Sequence, residues 1–236
     1  MRRRFFADAV DGGTVPSRAS VRGANAEHLT RVLRAQPGQQ YELAHAGRAY
    51  LGAIERASRD EVQFAILEAL PQSPPSPRLE LAAALFKFDR FEWMLEKATE
   101  LGIAALHPLV TRRTDPHLVE AAAKRRARWQ TIVVEAAQQA RRLDWPQLHA
   151  CQPLDDFLAR PFAGARRLLS EVPGAPALAV GREHPLLLLT GPEGGWTPEE
   201  ISRAEGAGFA SASLGPLILR CETAILAALA RGARSQ

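Results

Sequence analysis

The chain has 236 residues, of which 46% are apolar, and a formal net charge of +4; that is enough for one large domain or two small ones with an ordinary globular core. No apolar run reaches the length of a membrane span, and Arg2-Arg3-Arg4 followed by Phe5-Phe6-Ala7-Asp8 breaks any signal-peptide pattern. Two cysteines, Cys151 and Cys221, offer neither a disulfide framework nor metal-ligand spacing, and His107, His117, His149 and His184 show no ligand spacing either, so the expectation is a soluble, cytoplasmic protein without a metal site.

The basic residues number 30, but only Lys87, Lys97 and Lys124 are lysines. Arginine suits bidentate phosphate contacts and stacking on bases, although arginine usage also follows genome composition. In chain order, His28-Leu29-Thr30-Arg31-Val32-Leu33-Arg34 has helical spacing, with Leu29, Val32 and Leu33 on one side and Arg31 and Arg34 near each other toward solvent. After the Pro37-Gly38 turn, residues 40–44, 49–54 and 61–67 read as short strands, which together predict a small β-barrel. Pro71-Gln72-Ser73-Pro74-Pro75-Ser76-Pro77 forbids helix and central strand and reads as a semi-rigid linker at a domain boundary.

Residues 78–86 predict a strand, and Phe88 to Gly102 an amphipathic helix burying Phe91, Leu95, Ala98 and Leu101. Ile103 to Val110 is the next strand, and this β-α-β order implies parallel pairing with a right-handed crossover. Arg125 to Arg142 reads as another helix, with Trp129, Ile132, Val133 and Ala136 on its buried stripe. Residues 148–170 carry weaker signals: a short strand, a helix at 154–158, and a strand entered at 167–170.

Two Gly/Pro loops follow. The run Leu186-Leu187-Leu188-Leu189 reads as a buried strand ending in Thr190-Gly191-Pro192-Glu193-Gly194-Gly195-Trp196. Thr197, Pro198 and Glu200 then form a helix start of N-cap, first-turn proline and capping-box acid. The second loop, Ser213-Leu214-Gly215-Pro216-Leu217-Ile218-Leu219-Arg220-Cys221-Glu222-Thr223, leads into a helix beginning at Ala224. Two glycine loops before two helices, at the carboxyl ends of strands in an α/β sheet, point to one ligand held between them.

The paired loops resemble the SPOUT methyltransferases, and Gly191 to Gly195 with Leu214 to Ala224 is similar to the RsmE family of 16S ribosomal RNA (uracil-N3)-methyltransferases. The similarity covers both domains, through His28, Val32-Leu33-Arg34 and Gly38, through residues 87–102, and through His107-Pro108-Leu109 and Arg113. The resemblance implies an α/β fold: a C-terminal SPOUT-type domain over 78–236, with a parallel sheet and a deep trefoil knot, preceded by a PUA-like RNA-binding β-barrel over 1–70 and a linker over 71–77. It implies S-adenosyl-L-methionine as cofactor, 16S rRNA in the small ribosomal subunit as partner, and a homodimer. Cofactor contacts are expected from Leu189, Thr190, Gly191, Glu193, Gly194 and Gly195 of the first loop, and from Leu214, Gly215, Ile218, Leu219 and Thr223 of the second. Ser170 and Glu171 are secondary candidates for a wall of the same pocket.

Uracil N3 lies on the Watson–Crick edge and carries a proton, so the base must be unpaired and the proton must leave as the methyl arrives. Arg220 is the candidate stabiliser of charge on the base, and Glu222 either orients Arg220 or accepts the proton. Candidate RNA contacts are Arg4, His28, Arg31 and Arg34 in the first domain, then Lys87, Arg113, Gln139 and Arg142; Arg31 and Arg34 have a plainer reading as a solvated helix face, Lys87 as a solvated helix start, and Gln139 and Arg142 as a helix end. The family's arginine after Leu-Gly-Pro is Leu217 here, and its threonine before Glu-Thr is Cys221. These departures open a second expectation, a non-catalytic RNA-binding or ribosome-assembly protein on the same fold. A nucleotide-dependent enzyme gets little support, because there is no phosphate-binding Gly-x-x-x-x-Gly-Lys-Ser/Thr loop and Gly191 to Gly195 lacks dinucleotide-fingerprint spacing.

Overall fold

A computed structural model describes residues 3–12, 16–71, 78–172, 174–178 and 185–232. Arg2, most of the proline-rich segment (72–77) and His184 lie outside the described residues. The chain divides into two compact units, Met1–Pro75 with Ala137–Trp145, and Ser76–Ala136 with Pro146–Gln236.

The first unit is a six-stranded sheet in the order β1-β4-β5-β6-β3-β2, built from β1 (Arg4–Phe6), β2 (Ala9–Val10), β3 (Arg18–Arg22), β4 (Gln40–His45), β5 (Arg48–Ala57) and β6 (Glu61–Ala69). Among the described residues of this sheet, only the β1–β4 pair is parallel. The two edge strands, β1 and β2, are joined by Ala7 and Asp8, whose amides bond the Ala44 carbonyl in β4 and the Ser20 carbonyl in β3 at 2.9 Å each. Two residues cannot span an open sheet, so the sheet curls until its edges meet. Val21, Leu29, Leu43, Val62 and Phe64 fill the interior without exposure. The expected helix at 28–34 is instead α1 (Gly23–Glu27) running into a π-helical turn, His28–Val32. The turn ends at Arg34 with a left-handed φ of 50°.

Sequence periodicity gave no sign of β1, because Phe5 and Phe6 are both buried and no alternation shows. Next to them lies an ionic cluster. Glu42 accepts from Arg4 at 2.8 and 3.1 Å and also from Arg141, while Arg4 donates to the Arg141 carbonyl. Burial pushes the Glu42 carboxyl up, but bonds from Arg141 and then Arg4 outweigh it and hold the group below its usual range.

The second unit is a seven-stranded sheet in the order β10-β8-β7-β12-β11-β13, with β9 also on β8, and every pair is parallel. Its strands are β7 (Leu79–Ala84), β8 (Ala105–Val110), β9 (Gln147–Leu148), β10 (Gln152–Pro153), β11 (Ala165–Leu169), β12 (Leu186–Thr190) and β13 (Ala210–Ala212). The helices are α2 (Phe88–Glu100), α3 (Pro116–Gln139), α4 (Leu154–Leu158), α5 (Pro198–Gly206) and α6 (Cys221–Gly232). Leu186 and Leu188 pack with Leu95, Trp129, Val133 and Leu229 of α2, α3 and α6. Leu187 and Leu189 pack on the other face with Phe157 of α4, Ala204 of α5 and Phe209. Covered on both faces, these strands lose the polar alternation of a half-exposed sheet.

The helix expected at 125–142 starts nine residues earlier, at Pro116, and stops at Gln139. Arg141 takes a left-handed φ of 57°, which no helix continues through. Residues 116–124 turn only Ala122 and, in part, Leu118 to the core, too few apolar positions to extend the helical pattern back to Pro116.

His107 and His149, read as ordinary residues in the sequence, form a buried polar network. His107 Nε2 lies 3.0 Å from Glu80, Arg160 donates to His107 Nδ1 at 2.8 Å, and the His149 ring stacks on His107 at 4.1 Å. Arginine only donates, so His107 accepts at Nδ1 and donates from Nε2 to Glu80. The bond from His107 holds the Glu80 carboxyl down at about 2 against burial. Burial, with His107 and Arg160 nearby, depresses His149 to about 4.

Both groups make stability fall toward acid. The unfolded chain takes up the His149 proton near 6.5 and the folded chain near 4, so stability is lost as pH falls from about 6.5 to about 4. Glu80 adds a second loss between its ordinary value of 4.5 and about 2. Urea midpoints at pH 7 and pH 4.5 should therefore drop less for His149→Gln than for the wild-type chain. An equal drop in both would show that His149 is not the group responsible.

Candidate functional site

A cavity of about 490 Å³ opens at the carboxyl ends of β11, β12 and β13, the edge where parallel sheets gather their loops. Three segments wall it: the exit of β11 (Leu169–Val172), the glycine loop after β12, and the loop between β13 and α6. Of the sequence candidates, Thr190, Gly191, Gly194, Gly195, Leu214, Gly215, Ile218, Leu219 and Arg113 line it, as do Ser170 and Glu171. Leu189 is fully buried in the core beneath. Glu193, Arg220, Glu222 and Thr223 do not line the cavity; the first sits at the tip of its loop, and the others flank Cys221, which does.

The first loop is shaped by close approach. The Gly195 amide bonds the Pro192 carbonyl at 2.8 Å and Gly195 has φ 69°, a left-handed turn that glycine adopts without strain. A Cβ on Gly191 would stand 3.0 Å from the Trp196 indole, whose N–H donates to the Leu169 carbonyl at 3.1 Å. Trp196 thus packs on its own loop and ties it to the β11 wall. The sequence reading did not name Trp196 as a site residue, although it lies inside the glycine motif.

At α5 the expected capping box is present: Thr197 accepts from the Glu200 amide at 3.3 Å and Glu200 accepts from the Thr197 amide at 2.9 Å. Glu200 is 2% exposed, and its other oxygen accepts from the Arg112 amide at 2.8 Å. Arg113 Nη1 donates to the Gly194 and Trp196 carbonyls at 2.8 and 3.1 Å.

The second loop turns at Gly215, φ 127°, where Ser213 Oγ accepts from the Gly215 amide at 3.1 Å. Leu217 and Ile218 are 78% and 84% exposed. Glu222 starts α6 and lies 3.9 Å from Arg90, whose other contact is Glu193 at 3.3 Å. Arg90, on α2, therefore carries positive charge between acids of both loops; sequence reasoning missed it because it reads as one more solvated helix residue. Burial, followed by Glu193 and Glu222, pushes the Cys221 thiol up to about 11. A thiol held protonated is no nucleophile, so this position offers no covalent route.

The remaining RNA candidates are not among the residues that line this cavity. Arg4 has its guanidinium in the Glu42 cluster. The His28 ring packs 6.2 Å from Phe5, Arg31 pairs with Glu27 at 2.6 Å, and Arg34 is exposed. Lys87 stands exposed at the N-cap position of α2 without a capping bond from its side chain, Gln139 is exposed at the end of α3, and Arg142 contacts Asp144 at 3.1 Å.

Comparisons with known proteins agree with this geometry. Residues 72–232 match the model of an RNA methyltransferase domain, and residues 21–67 that of an RNA methyltransferase PUA domain. The ribosomal RNA small subunit methyltransferase E of a Synechocystis strain is 36% identical, over 88% of this chain and 70% of the relative. The Bacillus subtilis protein of the same name is 30% identical, over 89% and 87%. A crystal structure of a ribosomal RNA small subunit methyltransferase E from Neisseria gonorrhoeae bound to S-adenosyl methionine superposes with a TM-score of 0.86, covering 98% of this chain and 96% of that one at 30% identity. With both family models matched and relatives aligned along most of their length, the chain belongs to the ribosomal RNA small subunit methyltransferase E family of RNA methyltransferases.

Proposed function

We propose that this chain transfers the methyl group of S-adenosylmethionine to N3 of a uridine in 16S rRNA of the small ribosomal subunit, in the cytoplasm. The observation that carries the reading is the cavity between the two glycine loops, in a chain similar along nearly its whole length to a relative bound to that cofactor. Its volume of about 490 Å³ falls within the roughly 300–1,000 Å³ of small-molecule sites. The lining fits the group: Leu214, Ile218 and Leu219 offer apolar surface for an adenine, and the glycines expose backbone polar groups at close range. The bound cofactor supplies an electrophilic methyl on a sulfonium.

The chain's own residues do the rest. Arg220 is exposed beside the cavity, so its guanidinium is available for negative charge developing on uracil O2 or O4. Glu222 stands two residues on and is the nearby carboxylate that takes the N3 proton or orients Arg220. Leu217 and Ile218, exposed at the mouth, are covered when two copies of the chain pair. The deep trefoil knot belongs to the same reading.

The direct test is methyl transfer from labelled S-adenosylmethionine to small subunits lacking the modification, with naked rRNA in parallel and nucleoside analysis of the product. Label in 3-methyluridine is the expected result; label in another nucleoside overturns the N3 assignment, and neither transfer nor cofactor binding returns the chain to a non-catalytic role. Arg220→Ala should slow transfer by roughly 100- to 1,000-fold, the usual cost of removing one charge-stabilising donor, with cofactor affinity unchanged in calorimetry. Turnover equal to the wild type at saturating RNA removes Arg220 from the mechanism. Sedimentation should give a dimer, and a monomer with full activity would sink the paired arrangement.

A further inference from the structure

Arg113 is a candidate RNA contact through the family resemblance of the segment that carries it. Its geometry argues for different work. One nitrogen, Nη1, donates to two carbonyls of the first glycine loop, Gly194 at 2.8 Å and Trp196 at 3.1 Å. Its aliphatic stem lies against Gly194, where an added Cβ would meet Arg113 Cβ at 3.3 Å. The turn that carries Arg113 is itself held. Thr114 Oγ1 accepts from the Thr111 amide at 3.0 Å and bonds the Thr111 hydroxyl at 2.9 Å, both groups buried. The adjacent Arg112 amide donates to Glu200 at 2.8 Å, and the other oxygen of Glu200 caps the exit of the glycine loop at Thr197. Two ties therefore join the turn at 111–114 to the loop at 191–197, one through Arg113 and one through Glu200.

We infer that Arg113 and Glu200 are positioning residues that latch the first glycine loop in its cofactor-binding shape, so that the cofactor does not have to order that loop on binding. The inference rests on the reading of this cavity as the S-adenosylmethionine site. A loop held in its bound conformation spares the ligand the cost of ordering it, and releasing the loop returns that cost as weaker binding. Glu200 is 2% exposed and does not line the cavity, so any effect of Glu200 on cofactor affinity must travel through the loop. An RNA-contact role makes the opposite forecast for Arg113: weaker RNA binding, a shallower salt dependence and an unchanged cofactor affinity.

The test uses the full chain and S-adenosylmethionine in calorimetry, with methyl-transfer kinetics alongside. Wild-type binding checks the underlying reading; if the wild-type chain binds none, the site assignment itself falls, and the latch with it. Given wild-type binding, Arg113→Ala is expected to raise the cofactor Kd and KM by roughly ten-fold or more. The kcat at saturating cofactor, the RNA KM and its salt dependence should stay within about two-fold. Glu200→Gln keeps the size of the side chain but presents an amide nitrogen to one of two N–H donors, and should move the same constant in the same direction. The double variant should bind little worse than the weaker single variant, because both ties hold one loop. Arg113→Lys, with one flexible ammonium in place of the planar fork, should recover part of the loss and carries the test if the alanine variant does not fold. Unchanged cofactor affinity with weakened RNA binding overturns the latch in favour of an RNA contact. Fully additive losses overturn the shared mechanism.

Discussion

Leu186 and Leu188 press against one helical layer of the second unit, and Leu187 and Leu189 against the other. Each fully buried leucine contributes roughly 1.5–3 kcal/mol, and together they fix β12 between β7 and β11. With its leucines committed on both faces, the strand leaves only Thr190, its last residue, to line the cavity. What it does fix is the place where the chain leaves the sheet. Every strand of this sheet is parallel, so the exits of β11, β12 and β13 collect at one edge, and there the backbone is no longer paired in a ladder. The cavity is the space those exits enclose.

Once the exit is fixed, the loops need shape more than chemistry. Gly191 leaves room for the Trp196 ring, Gly195 takes a left-handed turn, and Trp196 reaches back to Leu169. Glu200 shows how one carboxylate serves two levels of structure. Toward its own helix it completes a capping box, and toward β8 it holds the Arg112 amide. The same residue that starts α5 anchors the loop before it, so helix initiation and site geometry are one set of bonds.

The fold was legible where apolar periodicity is local. The strands of the first unit after Pro37, α2, the core strand β12 and the capped start of α5 follow from residue pattern, because each is written in neighbours a few positions apart. The loop glycines of the site were legible for the same reason. What stayed hidden depends on distant partners. β1 is a strand because β4 receives it, the Glu80–His107–Arg160–His149 network joins four segments, and Arg113 and Arg90 acquire roles only when carbonyls or carboxylates some 80 to 130 positions later fold against them. Arg4 is the same lesson with the sign reversed. A terminal arginine cluster reads as a phosphate-binding surface, but here Arg4 neutralises the buried Glu42 and has little guanidinium surface left for anything else.

The two departures from the family motif can be weighed by what their positions ask of a side chain. Cys221 lines the cavity with a thiol that burial and the neighbouring Glu193 and Glu222 keep protonated. The exchange from threonine therefore gives up a hydroxyl's hydrogen-bonding strength without introducing a reactive group. Leu217 is 78% exposed, so an arginine there would have reached outward from the loop rather than shaped it. Neither position carries a tie that holds the first loop, since those run through Arg113, Trp196 and Glu200. Gly215 keeps the left-handed turn of the second loop, and Arg220 and Glu222 remain at the start of α6. Leu217 thus falls on an outer contact of the site and Cys221 on its lining, and neither alters the backbone geometry of the two glycine loops.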